Sequence, residues 1–175
     1  MSGARRQPAA RRSDPAIHAA PIAEHVAVDA ELRGCPIDPG QLVELLTALT
    51  TGRRPQLRDE SVCMECKRRG VVCVMVGKGM PCLGQVTQTG CGAICPRFGR
   101  GCYGCFGPRE QANAAGLTRH LQMAGDRSRE EVGRLFAGFT AYNEPFRSMV
   151  TELGGTRTGR TGMAADAAPT TGGKR

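Results

Sequence analysis

The order of apolar and polar positions predicts helices on both sides of an irregular central stretch. After His25 a short alternation of apolar and polar residues favours a β-strand, and a Gly-Cys-Pro turn then places Cys35 in a loop. Asp38 and Pro39 form a typical helix start, with Gln41 at the capping-box position. One face of this helix carries four leucines at helical spacing, Leu42, Leu45, Leu46 and Leu49.

Two longer helical patterns occupy about residues 109–123 and 129–142. The second pattern opens with a capping box from Ser128 to Glu131, and a last short helix is expected after Asn143. The apolar side of the second helix consists of Val132, Leu135, Phe136 and Phe139. These patterns predict a small, irregular, α-rich domain with little strand.

The central stretch has a different character, because it holds eight of the nine cysteines, separated by glycines. The chain has no Trp, 2 Tyr and 5 Phe against 24 Gly and 11 Pro, so bulky side chains for a core are scarce. We therefore expect little regular structure here and a fold that depends on bound metal. The predicted organisation is a disordered leader (1–27), a strand, loop and helix (28–57), the cysteine block (58–108), C-terminal helices (109–153) and a disordered tail (154–175).

The compartment decides how the cysteines are interpreted. No apolar run is long enough for a membrane span, and no apolar stretch of an export signal follows the arginine pairs near the start. We therefore expect a cytoplasmic protein without a membrane span. In a reducing compartment, a dense set of cysteines is more typical of metal binding than of disulfides.

The spacing divides the cysteine block into two groups of four. Gaps of two, six and eight residues separate the first four cysteines, and gaps of three, six and two separate the others. Four thiolates are what one 4Fe-4S cluster requires, and the glycines allow backbone N–H groups to approach the sulfurs. The spacing predicts two 4Fe-4S clusters, one on Cys63, Cys66, Cys73 and Cys82 and the other on Cys91, Cys95, Cys102 and Cys105.

Alternatives to this interpretation stay open. Structural zinc is one of them, and its four ligands would be Cys63, Cys66, Cys102 and Cys105. Disulfides are another. The net charge of +8 would suit a zinc-stapled interaction or nucleic-acid module, although charge alone identifies no partner. Between Cys63 and Cys105 there is a single acid, Glu65, against six cations that would offset cluster charge, Lys67, Arg68, Arg69, Lys78, Arg97 and Arg100.

Residues 29–55, with the Gly-Cys-Pro step, and residues 62–108, with the eight cysteines, carry a family resemblance. Over about residues 27–153 the chain resembles the C-terminal, cluster-binding part of the small subunit of cytoplasmic nickel-iron hydrogenases of the sulfhydrogenase delta type. A related Gly-Cys-Pro step occurs in the more distant 20 kDa subunit of NADH:quinone oxidoreductase. The resemblance implies an electron-relay subunit of an oxidoreductase complex that is not active alone and makes no use of nucleic acid.

The partners that the resemblance implies are a nickel-iron large subunit and a flavin/NAD(P) diaphorase or ferredoxin-like subunit. By position, the first four cysteines would hold a distal cluster and the second four a medial cluster, with an exchange of one ligand between them left open. Cys35 would match the last ligand of a proximal cluster. The family's other proximal ligands belong to an N-terminal flavodoxin-like domain, and no cysteine precedes Cys35 here. We therefore expect an incomplete proximal cluster, in a chain that is truncated and non-functional or is completed by another polypeptide.

Overall fold

Regular structure in residues 21–154, which the computed structural model describes, is entirely helical. Two isolated β-bridges, Ser61 with Gln88 and Thr87 with Pro108, are the β-type pairings in this range. The prediction of an irregular, α-rich domain is therefore confirmed. A short 3-10 turn, Ile22–Glu24, precedes the helices α1 (Pro39–Thr50), α2 (Val62–Arg68), α3 (Val74–Lys78), α4 (Ile94–Arg97), α5 (Ala114–Gly125), α6 (Arg129–Phe136) and α7 (Phe146–Leu153).

The strand predicted after His25 is wrong, because this segment is irregular. A strand is stable only when its backbone groups pair with a neighbouring strand, and the described residues contain no strand to pair with. Val26 and Val28 of the alternating run are exposed instead of covered. The segment leads into the Gly-Cys-Pro loop, where Cys35 lies outside regular structure as predicted and is exposed.

Helix α1 begins where the sequence predicts. The Asp38 carboxylate caps it by accepting a hydrogen bond from the backbone N–H of Gln41 at 2.8 Å. The Gln41 side chain does not complete a capping box but donates to the Thr89 carbonyl at 3.1 Å, which ties α1 to the cysteine block. On the predicted leucine face only Leu45 is buried, together with the nearby Ala48, and the other three leucines are exposed.

The cysteine block is more helical than predicted, since α2, α3 and α4 all lie within it. These helices have only 7, 5 and 4 residues, and glycine-rich turns connect them. At Gly101 a Cβ would collide with the carbonyl oxygen of Pro81. The two backbone segments therefore approach each other as closely as only glycine permits.

The capping box of α6 is confirmed. The Ser128 hydroxyl accepts a hydrogen bond from the Glu131 N–H at 3.2 Å, and the Glu131 carboxylate accepts one from the Ser128 N–H at 2.8 Å. The helix ends at Phe136, earlier than predicted. Val132 and Phe136 of the predicted apolar side are buried, whereas Phe139 lies beyond the helix and is exposed.

The helix predicted from about residue 109 begins later, at Ala114. The Asn113 side chain accepts a hydrogen bond from the Gly116 N–H at 2.8 Å and so fixes the start of α5. The short helix expected after Asn143 is confirmed as α7. Its Phe146 ring meets the Phe136 ring of α6 edge to face, with 5.3 Å between the ring centroids.

Two apolar clusters hold the described chain together. The larger joins α5, α6 and α7 to Leu83 and Val86 of the cysteine block. The smaller lies within the block and consists of Val62, Val74 and Ala93 with two cysteines. The Thr140 hydroxyl also donates to the Gly104 carbonyl at 2.8 Å, so the C-terminal helices and the block are directly connected.

The predicted leader lies largely outside the described residues, and the predicted tail lies outside them after residue 154. None of the helices in the described part of the chain combines the length and apolar character that crossing a bilayer requires.

Candidate metal centre

Short helices and the turns between them present the block's eight cysteines. Helix α2 carries Cys63 and Cys66 three residues apart, so the two side chains share one face of the helix. Cys73 immediately precedes α3 and is exposed. Cys95 lies in α4, and the remaining four cysteines lie in turns. Cys82 and Cys102 are the buried pair, with 7% and 9% of their surface exposed.

The four cysteines of the first group influence one another's ionisation. Burial, and after it the nearby thiols of Cys82, Cys66 and Cys73, together raise the pKa of the Cys63 thiol to about 11. Burial also raises the pKa of Cys66, and Cys82 and Cys73 add to this effect. Such effects need neighbouring thiols, and they are not confined to the first predicted group, since Cys91 also raises the pKa of Cys66.

The second group shows the same pattern. Burial raises the pKa of Cys105, with Cys91 and Cys95 adding to the effect. Burial likewise raises the pKa of Cys102, and the neighbouring thiols that contribute are Cys82 and Cys91. Cys82 of the first group also raises the pKa of Cys95, so the thiols of the two predicted groups are neighbours at Cys82.

The Cys82 sulfur has the surroundings of a metal-bound thiolate. It accepts hydrogen bonds from the backbone N–H groups of Cys102, at 3.2 Å, and Gly84, at 3.4 Å. A Cβ on Gly84 would lie 3.3 Å from the Cys82 sulfur and 3.7 Å from the Cys63 sulfur. The missing side chain lets the backbone approach two sulfurs at once, an arrangement that stabilises sulfur charge in iron-sulfur sites. The residues present thus fit such a group.

The raised pKa values have a chemical consequence. A thiol with a pKa near 11, as at Cys63, is protonated at neutral pH. Metals bind the thiolate, so loading this site releases protons, and the positive charge of the metal replaces them. Burial thus disfavours the thiolate form of Cys63 unless a positive charge compensates it.

The structure shows neighbouring thiols rather than a closed ligand set for one ion. Within residues 21–154, no three His, Cys, Asp or Glu side chains are grouped closely enough to hold a single metal ion. The assignment of the eight cysteines to two clusters therefore stays a prediction.

Cys35 lies beside the second group. It lines a surface cleft together with Cys105, Thr140 and Tyr142. Its backbone N–H hydrogen-bonds the Cys105 thiol, which partly offsets the rise in the pKa of Cys105. The ninth cysteine, which the sequence places far from the block, is thus a direct neighbour of the block in space.

Glu65 is a site residue whose role the sequence does not reveal. Its position between two cysteines of α2 marks it only as the one acid between Cys63 and Cys105. In the structure its carboxylate accepts hydrogen bonds from the backbone N–H groups of Ala93, at 2.9 Å, and Gly90, at 3.1 Å. The Cys91 thiol points at the same carboxylate, with 3.8 Å between sulfur and oxygen. Glu65 therefore connects the two cysteine groups.

Some of the predicted cations near the cysteines already form ion pairs or hydrogen bonds with other groups of the chain. Arg68 forms an ion pair with Glu60 at 2.6 Å, and Lys78 donates to the Gly99 carbonyl at 3.4 Å. The Arg69 guanidinium lies where a Cβ on Gly92 would stand, next to the second cysteine group. Positive charge is thus available near the thiols, as the sequence indicates.

The fold and this site define a small helical domain with an array of partly buried thiols, suited to iron-sulfur clusters. No protein-family model matches the chain. The chain is 40% identical over 102 residues to sulfhydrogenase 2 subunit delta of Pyrococcus furiosus, covering 58% of this chain and 43% of the relative. It is 33% identical over 132 residues to a subunit of the F420-non-reducing hydrogenase vhu of Methanocaldococcus jannaschii, covering 63% and 45%.

A third relative names the cofactor class. The iron-sulfur subunit of the F420-non-reducing hydrogenase of Archaeoglobus profundus is 30% identical over 125 residues, covering 55% of this chain and 39% of that protein. The chain spans less than half the length of these relatives. The resemblance to hydrogenase iron-sulfur subunits is thereby confirmed.

Proposed function

We propose that the chain is the electron-relay part of a hydrogenase-like oxidoreductase complex and binds two 4Fe-4S clusters through its eight-cysteine block. The observation that carries this proposal is the Cys82 sulfur, which accepts two backbone hydrogen bonds and raises the pKa of cysteines in both predicted groups. Bound clusters would supply one-electron transfer. The chain's own residues provide the ligands, exclude water around Cys82 and Cys102, and hold N–H groups against sulfur.

The order of the cysteines in space supports a relay. Cys35 adjoins Cys105 of the second group, and the second group adjoins the first at Cys82. Cys73 of the first group is exposed. We infer that electrons pass between the Cys35 side, where a nickel-iron large subunit binds, and the Cys73 side, where a flavin/NAD(P) or ferredoxin-like partner docks. The other ligands of a cluster at Cys35 would come from outside this sequence.

The cofactor content tests the proposal first. The full chain, prepared without oxygen, should be brown and contain about eight iron atoms and about eight sulfides for two cubanes. A colourless protein that binds zinc in stoichiometric amount would contradict the proposal and favour a zinc-stapled module.

The division into two groups can be tested with Cys66→Ser. This variant removes one ligand of the first group and should lose one cluster signal in electron paramagnetic resonance after reduction, together with about half of the iron. Cys35→Ser is the matched control, because it removes a cysteine outside both groups and should leave both signals. Equal loss of both signals in Cys66→Ser would argue against independent groups.

A further inference from the structure

A single carboxylate spans the boundary between the two cysteine groups. Glu65 is half-buried on α2, between Cys63 and Cys66. One of its oxygens accepts the Gly90 N–H at 3.1 Å, and the other accepts the Ala93 N–H at 2.9 Å. The carboxylate therefore forms hydrogen bonds with both ends of the turn 90–93, which carries Cys91 of the second group.

This turn is held in a conformation that needs support. Ala93 has φ +55°, in the left-handed region that residues with a Cβ seldom occupy, and its side chain is fully buried. Gly92, before it, also has positive φ. Such strain persists only where surrounding contacts determine the conformation, and it is concentrated at functional sites. The contact at Ala93 is its hydrogen bond to Glu65, which is strengthened by the carboxylate charge.

We propose that Glu65 is a positioning residue that holds the turn 90–93, and with it Cys91, in the geometry of a cluster ligand. The inference rests on the proposed function, because it assumes that Cys91 binds a cluster. It also links the two cysteine groups in a way that cysteine spacing does not predict. Helix α2, which carries two ligands of the first group, orients a ligand of the second group through Glu65.

The same geometry places a negative charge beside one cluster. The Cys91 sulfur lies 3.8 Å from the Glu65 carboxylate. A nearby anion opposes the addition of an electron, so Glu65 lowers the reduction potential of the cluster that Cys91 binds. A residue that served only the stability of the fold would not change this potential selectively.

Three variants of the full chain, reconstituted without oxygen, test the proposal. Glu65→Ala removes both hydrogen bonds and the charge, Glu65→Gln keeps an accepting oxygen without the charge, and Glu60→Gln is the matched control. Glu60 is also an acid near α2, but its carboxylate pairs with Arg68 and makes no contact with the turn among its hydrogen bonds. The readouts are iron per chain, resonance signals after reduction by dithionite, and the midpoint potential of each cluster.

Glu65→Ala should lose about half of the iron and the signal of one cluster. Glu65→Gln should recover the iron and show a positive shift of one midpoint potential that clearly exceeds any shift in Glu60→Gln. Full iron with unchanged potentials in Glu65→Ala would overturn the proposal. A shift in Glu65→Gln no larger than in Glu60→Gln would also overturn it, because the effect would then be one of overall charge.

The unaltered chain separates this proposal from the one on which it rests. If the unaltered chain takes up no iron and sulfide, the proposed function fails. If it binds two clusters and the Glu65 variants match it in iron content and potentials, only the role of Glu65 fails.

Discussion

At the scale of single residues, hydrogen bonds that link distant parts of the chain explain the unusual ionisation of particular groups. Glu44 of α1 accepts two hydrogen bonds from the Arg53 guanidinium, at 2.6 and 2.7 Å, and one from the Gln56 N–H at 2.7 Å. These bonds lower the pKa of the Glu44 carboxyl to about 2, with the side-chain bond to Arg53 as the largest cause. The carboxylate therefore fixes the turn that follows α1.

The pH dependence of this contact is testable. Because the pKa of Glu44 is lowered in the folded state, its stabilising effect is present above about 4.5 and is lost as the pH falls toward about 2. In carbon-13 NMR of the carboxyl group, Glu44 should still be ionised at about pH 3.5, where an ordinary glutamate is largely protonated. Arg53→Gln should move the titration midpoint back toward the ordinary value.

Arg54→Gln is the control for this titration, since it removes the same charge from the neighbouring position without removing a donor to the Glu44 side chain. Its Glu44 midpoint should stay low. An ordinary midpoint for Glu44 in the unaltered protein would contradict the ion-pair geometry.

Residue types and spacing predict the candidate ligands but not their surroundings. The gaps between cysteines are a property of the sequence, and they predict two groups of four thiols. The contacts of Glu65 with Gly90 and Ala93 join residues 25 and 28 positions apart. No local pattern encodes such a contact, because it depends on how α2 is placed against a turn of unusual backbone conformation.

At the scale of helices, capping signals predict where α1 and α6 start. The Asp38 cap and the Ser128 capping box both act as predicted, because each is a contact between residues three positions apart. The end of α6 at Phe136 is set by the chain turning back toward α7, which the apolar spacing through Phe139 does not show. Likewise, the leucine spacing of α1 identifies an apolar face but does not tell whether a neighbour covers it.

The Ser128 cap makes a direct prediction about stability. Ser128→Ala removes the oxygen that accepts the Glu131 N–H and should lower the free energy of unfolding by about 1 kcal/mol. The measurement is denaturant unfolding of the iron-loaded chain, followed by circular dichroism. Thr151→Ala is the matched control, because the hydroxyl it removes bonds to the Arg147 carbonyl within α7 and caps nothing.

The control should change the free energy of unfolding by no more than about 0.5 kcal/mol, as is usual for exposed sites. An equal effect of both substitutions would show that loss of a hydroxyl, rather than loss of the cap, determines the result.

At the scale of the whole molecule, the cysteine block and the C-terminal helices differ in what stabilises them. Helices α5, α6 and α7 contribute the larger apolar cluster, which includes the rings of Phe136 and Phe146. The apolar cluster within the cysteine block is smaller and consists of Val62, Val74 and Ala93 with two buried cysteines. Burial of apolar surface is the main source of stability, so we expect the block to depend on bound metal and the C-terminal helices to depend on their core.

Removal of iron should therefore unfold the molecule unevenly. After oxidation and chelation, hydrogen exchange followed by mass spectrometry should show a large loss of protection in peptides from about residues 62–105. Peptides from α6 and α7 should keep much of their protection, because Val132, Phe136 and Phe146 remain packed on one another. Protection in α5 should be intermediate. This helix belongs to the same apolar cluster as Leu83 and Val86 of the block, and these two residues should lose their packing when iron is removed. Equal protection of the block with and without iron would show that the polypeptide alone maintains its fold and that metal binding does not stabilise it.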